Sequence, residues 1–488
     1  MKKFLTITVT TILLWAISTY IISTQTQQEF QHYIDRSNQL SQTNGFKLIL
    51  SDYQPSFLNS IAIVQIDFID PIVQKELEKE YILPIKIKYN IEHGPLFFKD
   101  GFGVGLSKLH NEFTINSMLK PKAKKELLAL VKKDINFNTT MILSFDKKLH
   151  YTIESDPISI DQEHEIFEIT PLKLKGTVDI KTLQGNNHFA IDKIQFKKKN
   201  SPDSLYLKDF ELDINIHEFV NNTLLFGDFQ LSIANLNVHD QFNPFVKNIN
   251  LSLKSRMRTK RSSDKTMNSD FELDIDLQNT TLPKQFETIK NLKLTMNMKD
   301  LGIEGMFQFQ QSAQQAQEEQ SQLLNDLQTS SPENMQALVK QFEIIQNKMI
   351  NSIVDSLNTL LIKDKSSINY RLDMESKENV SSHVQLEVGY RGNIKFEGKV
   401  EALIAKIQSE ILSLIKLNLQ IKLNKKHIKM IPIPLFKEQL KIGVREGFVK
   451  ENNTTYMLNG YYNNKELIIN DNNLTATILP LIIMLTAE

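Results

Sequence analysis

Apolar and polar residues alternate along most of this chain with a period of two. In one early segment Ile85, Ile87, Tyr89 and Ile91 are separated by lysine, lysine and asparagine. The same alternation returns in segments 172–174, 210–216, 229–233, 249–253, 271–277, 292–298, 368–374, 384–390 and 417–423. Because successive side chains of a strand point to opposite faces, each segment predicts a strand with one apolar and one polar face.

Short polar turns separate these segments, so antiparallel pairing of neighbours is the simplest topology. The segment Asp-Phe-Glu-Leu-Asp-Ile-Asn that begins at Asp209 returns, with one change, at Asp270. Duplication and coincidence both explain this recurrence, and either way the segments predict hairpins that extend one sheet. We therefore expect a mainly β protein of the α+β class, with elongated antiparallel sheets.

A different pattern opens the chain. Lys2 and Lys3 precede nineteen uncharged residues, from Phe4 to Ile22, and the next basic residue is Arg36. A helix of nineteen residues is about 28 Å long, close to the thickness of a bilayer's hydrocarbon core. The lysines before the segment predict a cytoplasmic N-terminus and a body across the membrane. A cleaved secretory signal is the alternative, with a small-residue site at Ala16 and Ser18 inside the apolar run.

Helical periodicity is found at length only between residues 310 and 362. Its first part, 310–328, is rich in glutamine and polar. Its second part carries apolar residues at steps of three and four, which predicts an amphipathic helix over 335–360. The expected role of this apolar stripe is to pack on a sheet, and a helix that binds a partner or a membrane surface is the alternative.

Several short motifs resemble those of the YdgA family of Gram-negative inner-membrane proteins, which carry a domain of unknown function. They are Tyr53, Ser56 and Ser60 before a strand, Glu92-His93-Gly94-Pro95-Leu96 after the next, and Gly447-Phe448-Val449, Thr455-Tyr456 and Lys465-Glu466-Leu467-Ile468-Ile469-Asn470 near the end. The sequence departs from the family at Asn470-Asp471, where an Asn-Gly pair is usual. The resemblance implies a topology and a fold, and it carries no catalytic residues.

Composition narrows the classes of function. Lys plus Arg and Asp plus Glu number 57 each, so no overall charge favours nucleic acid. The absence of cysteine excludes disulfides, thiol catalysis and cysteine-type zinc sites. No zinc-protease, phosphate-loop or nucleophile-elbow motif is complete. The acidic run from Asp161 to Glu168 is expected to be solvated, and His93 to form a hydrogen bond within its turn. We therefore expect no catalytic residues, no metal and no cofactor.

One cluster of basic residues has a regular spacing. Lys254, Arg256, Arg258 and Lys260 step by two and project from one face of a strand, and Arg261 extends the cluster. Protection of a sheet edge by charge is one interpretation. Contact with the phosphates of an anionic lipid is the other.

Together these patterns predict four regions: an anchor at 1–24, a β region with strand repeats at 25–300, a helical segment at 301–365 and a β region at 366–488.

We expect a single-pass protein of the bacterial inner membrane with its body in the periplasm. It would bind a lipid-like ligand along an apolar sheet face or scaffold envelope proteins. A hydrolase-type envelope enzyme with a dispersed site is the alternative. A second sheet could instead close the apolar face into a sandwich, and the sequence leaves the oligomeric state open.

Overall fold

The computed structural model describes residues 2–41, 45–99, 102–220, 224–240, 248–277, 280, 289–329, 335–392, 413–430 and 434–476. These residues form two compact units, Met1–Gly227 and Asp228–Glu488. Every strand pairing described within each unit is antiparallel. The prediction of a mainly β chain with a large antiparallel sheet is therefore confirmed.

The first unit contains three α-helices, one short 3-10 helix (Ile115–Ser117) and thirteen strands among its described residues. The helices are α1 (Lys2–Ser41), α2 (Pro71–Glu80) and α3 (Pro121–Val131). The strands are β1 (Phe46–Gln54), β2 (Asn59–Phe68), β3 (Ile85–His93), β4 (Leu96–Phe97), β5 (Gly103–Val104), β6 (Ser107–Thr114), β7 (Asn136–Leu143), β8 (Lys148–Ser155), β9 (Ile158–Asp161), β10 (Glu165–Ile169), β11 (Leu172–Asp179), β12 (Gly185–Lys198) and β13 (Ser204–Val220). Strands pair in the order β1–β2–β3–β6–β7–β8–β11–β12–β13, while β10 pairs with β9 and with one end of β12.

The second half of α1 is fastened to the sheet of the first unit. Phe30 meets Tyr89 edge to face, with ring centroids 6.1 Å apart. The Glu29 carboxylate forms an ion pair with Lys147 Nζ, at a distance of 2.6 Å. The side-chain amide of Asn38 both donates to and accepts from the backbone of Leu48, at 2.7 and 2.8 Å. These contacts cover the apolar side of the central strands.

The predicted N-terminal helix is present as α1. In the part of the chain that the structure describes, no helix combines the length and apolar character needed to cross a membrane. The membrane span therefore stays a prediction from the sequence.

Among its described residues, the second unit contains four helices and the remaining strands. The helices are α4 (Ile303–Thr329), α5 (Met335–Leu360), α6 (Lys425–Met430) and α7 (Pro434–Arg445). The strands are β14 (Leu224–His239, which crosses the boundary between the units), β15 (Asn248–Arg261), β16 (Thr266–Asp276), β17 (Ile289–Gly302), β18 (Ser367–Ser376), β19 (Ser381–Tyr390), β20 (Ile415–Asn424), β21 (Lys450–Glu451), β22 (Thr455–Asn463), β23 (Glu466–Ile469) and β24 (Asn472–Asn473). The paired order is β15–β16–β17–β18–β19–β20–β22–β23–β24, with β21 also beside β22.

The helical segment is two helices packed on each other. Ile345 of α5 packs against Leu323 of α4 in a buried cluster. The two helices also come close together at their base, where a Cβ on Gly305 of α4 would collide with the backbone of Leu360 in α5. Among the described side chains of α5, only the end of the stripe reaches the sheet, where Val354 packs near Tyr390. The expectation that the stripe packs on the sheet is therefore wrong for most of this described part. The glutamine-rich segment before it is itself helical and supplies the partner.

This arrangement predicts different outcomes for two neighbouring substitutions in α5. Ile345 is 9% exposed and Phe342 is 36% exposed. Ile345→Asp should destabilise the hairpin by about 3 kcal/mol, because it buries an unpaired charge. Phe342→Asp should cost less than about 1 kcal/mol. Amide hydrogen exchange in α4 and α5 measures both, and equal losses would contradict the packing described.

Candidate functional site

The register of the second unit aligns apolar side chains into three rows that run across its strands. The first row is Met257, Phe271, Met296, Tyr370, Leu386, Leu419 and Gly460. The second is Ser255, Leu273, Leu294, Leu372, Val384, Ile421 and Leu458. The third is Leu253, Ile275, Leu292, Met374 and Ser382, and Leu423 is paired with Tyr456 on the two strands beyond it. We call the surface that these rows form the apolar face.

The middle of the apolar face is open. Tyr370 is 41% exposed and Leu372 is 46% exposed, although both lie on β18, an interior strand of the sheet. Met257, at one end of the first row, is 40% exposed. Large contiguous apolar patches on a protein surface mark binding sites for proteins, membranes or ligands. The apolar face is therefore the candidate functional site.

The opposite face of the same sheet carries charges that pair across strands. Lys254, Arg256 and Arg258 of β15 stand opposite Asp274, Glu272 and Asp270 of β16, and Lys260 stands opposite Asn268. On the next strand, Lys293 Nζ lies 2.7 Å from Glu272. Opposite charges placed directly across an antiparallel pair stabilise it.

Four of the basic residues singled out in the sequence, Lys254, Arg256, Arg258 and Lys260, project from this charged face. Arg261 comes one residue after Lys260 on the same strand, so it projects from the other side. The Arg258 guanidinium donates to Asp228 at 2.5 Å, and this bond raises the pKa of Arg258. Arg261 donates to the backbone oxygen of Asp264 at 3.1 Å. The basic row thus lies on the side of the sheet away from the apolar face. Its contact with an anionic lipid stays a prediction.

The first unit buries a serine, a histidine and a threonine in one hydrogen-bonded group. The Ser60 hydroxyl lies 2.8 Å from His93 Nε2, and the Thr26 hydroxyl of α1 lies 3.3 Å from His93 Nδ1. His93 is 3% exposed and Ser60 is 1% exposed. Loss of hydration on burial lowers the pKa of His93 to about 4. The expectation of a hydrogen-bonded histidine is confirmed, but its partners, Ser60 and Thr26, lie outside its own turn.

The second unit contains a similar pair, which the sequence analysis missed. The Ser382 hydroxyl lies 2.7 Å from His427 Nδ1 and accepts from the Asn424 backbone N–H at 2.8 Å. His427 is 1% exposed, and burial lowers its pKa. Its residues are far apart in the sequence and match no motif, so no sequence signal marked it.

A serine beside a histidine can act as a nucleophile only if a substrate reaches the hydroxyl and the imidazole is held in the right tautomer. Both hydroxyl groups are buried. In the first unit His93 Nδ1 meets a threonine hydroxyl where a catalytic triad has a carboxylate. As placed, the two serines and His93 lie at the ends of strands, where a substrate does not reach the hydroxyl groups. The pairs therefore do not support nucleophilic catalysis.

The acidic run of β9 and β10 is paired with lysines of β12 and the turn that follows it. Asp161 lies 2.5 Å from Lys199 Nζ, and Glu168 lies 2.6 Å from Lys193 Nζ. Over the ranges described, no three histidine or carboxylate side chains are grouped so that they could hold a metal ion.

Residues 1–476 match the sequence model of a family described as "Bacterial protein of unknown function (DUF945)". The chain belongs to this family. No curated protein and no solved structure matches the chain. Membership of DUF945 assigns no activity, so the function has to be argued from the geometry of the chain itself.

The buried His93 predicts how the stability of the first unit depends on pH. The pKa of His93 in the folded unit is about 4, below the ordinary value of 6.5. Between pH 6.5 and pH 4 the unfolded chain therefore binds a proton at His93 that the folded unit does not bind. The free energy of unfolding therefore falls as the pH falls. From pH 7 to pH 5 the loss through His93 should be about 2 kcal/mol.

Urea unfolding at both pH values, followed by hydrogen exchange in β2 and β3, measures this loss. His93→Gln should remove about 2 kcal/mol of the pH dependence. An unchanged pH dependence in the variant would show that His93 is not buried as a neutral group.

Proposed function

We propose that this DUF945 protein is a non-catalytic protein of the bacterial envelope whose apolar face binds the hydrocarbon chain of a lipid-like ligand. The observation that carries the proposal is the unbroken apolar row through Leu372, which stays open to solvent at the middle of an interior strand. A hydrocarbon chain laid along this face would gain about 0.8 kcal/mol for each methylene removed from water. No polar side chain interrupts the row between Leu273 and Leu458.

The main competitor is a second sheet that closes the apolar face into a sandwich. Inner faces of a sandwich interdigitate and exclude water. Tyr370 and Leu372 each keep more than two fifths of their surface. Of the helices described in the second unit, α4 and α5 pack mainly on each other. The open face favours a ligand over a sandwich core.

The location of this activity rests on the sequence. The uncharged run from Phe4 to Ile22 behind Lys2 and Lys3 supports a single span in the inner membrane with the body in the periplasm. A tether at a membrane would place the apolar face near a supply of lipid. Scaffolding of envelope proteins is a second role that an open apolar face could serve.

A charge placed on the apolar face should weaken binding without unfolding the unit. Leu372→Lys introduces an ammonium group at a half-exposed position, so its cost in stability should stay below about 1 kcal/mol. Binding of the fluorescent acyl probe cis-parinarate should weaken at least about tenfold, because the leucine side chain no longer contacts the hydrocarbon of the probe. Fluorescence titration of the full chain in an amphipathic polymer measures this, with the polymer background subtracted.

The matched control is Gln420→Lys, which adds the same charge to the opposite face of the sheet. It should bind the probe as the unmodified chain does. Failure of the unmodified chain to bind cis-parinarate above background would refute the proposal.

A further inference from the structure

One end of the apolar face is covered by the amphipathic helix α7. Phe436 and Leu440 of α7, together with Val449, lie over Ile421, Leu423 and Leu458 of β20 and β22. The space between them is an apolar cavity of about 220 Å³. The helix therefore covers this end of the sheet without filling the gap beneath it.

The floor of this cavity continues the open face. Ile421 and Leu458 are the last two members of the row that contains Leu372, and Val384 joins them to it. Leu423 is two residues after Ile421 on β20 and so lies on the same face. A linear hydrocarbon that follows the second row from its exposed middle would thus reach the cavity under α7 without crossing a polar side chain.

The cavity has the size and chemistry to hold hydrocarbon. Apolar cavities of about 150 Å³ in proteins stay dry and bind molecules such as benzene. This one is larger and partly open to solvent, and the side chains that line it are mostly aliphatic or aromatic. The polar groups near Tyr456 are already engaged, since Lys425 Nζ lies 2.5 Å from Glu451 and 5.2 Å from the Tyr456 ring centroid.

We propose that the cavity under α7 holds the methyl end of a single acyl chain and thereby sets the length of chain that the apolar face prefers. This inference rests on the proposed function. Within the cavity each added methylene should tighten binding about fourfold. Once the cavity is full, further methylenes should add much less. Leu440 of α7 lines this cavity, so a change in the volume of its side chain should change the space left for the acyl chain.

The test uses saturated fatty acids from octanoate to stearate, which compete with cis-parinarate for the full chain in amphipathic polymer. Leu440→Trp should shorten the preferred chain by two or more methylenes and weaken binding of the original optimum at least about tenfold. Leu440→Ala should lengthen the preferred chain. The control is Ile442→Trp, because Ile442 lies on the outer side of α7 and is 40% exposed. It should leave the preference unchanged.

The outcomes separate this inference from the proposed function. If the unmodified chain binds no fatty acid, both fail. If it binds fatty acids but neither Leu440 variant shifts the preferred length, the apolar face still binds chains and the role of α7 is refuted. An equal shift in Ile442→Trp would also refute it, because the effect would then not come from the cavity. Leu440→Ala keeps the test decisive if the tryptophan variant does not fold.

Discussion

The second unit depends on strand register. Side chains alternate between the two faces of a sheet, so a slip of one residue in any strand would exchange its apolar and charged sides. The register from β15 to β22 keeps the same phase across every pairing through the rows. The two irregularities in this region lie at Met267 and Ile289, at strand ends beyond the rows. The charged face helps to hold this phase, because Lys254, Arg256 and Arg258 each stand directly opposite a carboxylate in the observed register.

The two units differ in how the apolar side of the sheet is covered. In the first, α1 supplies the cover through Phe30, Glu29 and Asn38, and a buried group around His93 ties α1 to the ends of β2 and β3. In the described part of the second unit, α4 and α5 bury apolar side chains against each other, and α7 covers one end of the sheet. The middle of the apolar face is left exposed. A protein that keeps such a surface needs a ligand, a partner or a membrane to cover it.

The strands and their two faces could be predicted from the sequence, because period-two alternation directly reflects the geometry of a strand. The partner of the 335–360 stripe could not. The preceding segment has few bulky apolar residues, and only its packing shows that Leu323 meets Ile345. The partners of the basic row were also missed, because Asp270, Glu272 and Asp274 face it only once β15 and β16 are paired. The Ser382–His427 pair depends on tertiary contacts that leave no local pattern.

Photo-crosslinking would show directly whether an acyl chain lies on the apolar face. A fatty acid that carries a diazirine near its methyl end would be bound to the full chain and irradiated, and its adducts mapped by mass spectrometry. We expect adducts on alternate residues of the central strands, at Tyr370 and Leu372 but not at Arg371, and further adducts on the inner side of α7. Adducts divided equally between the two faces of the sheet, or confined to α1, would contradict this expectation.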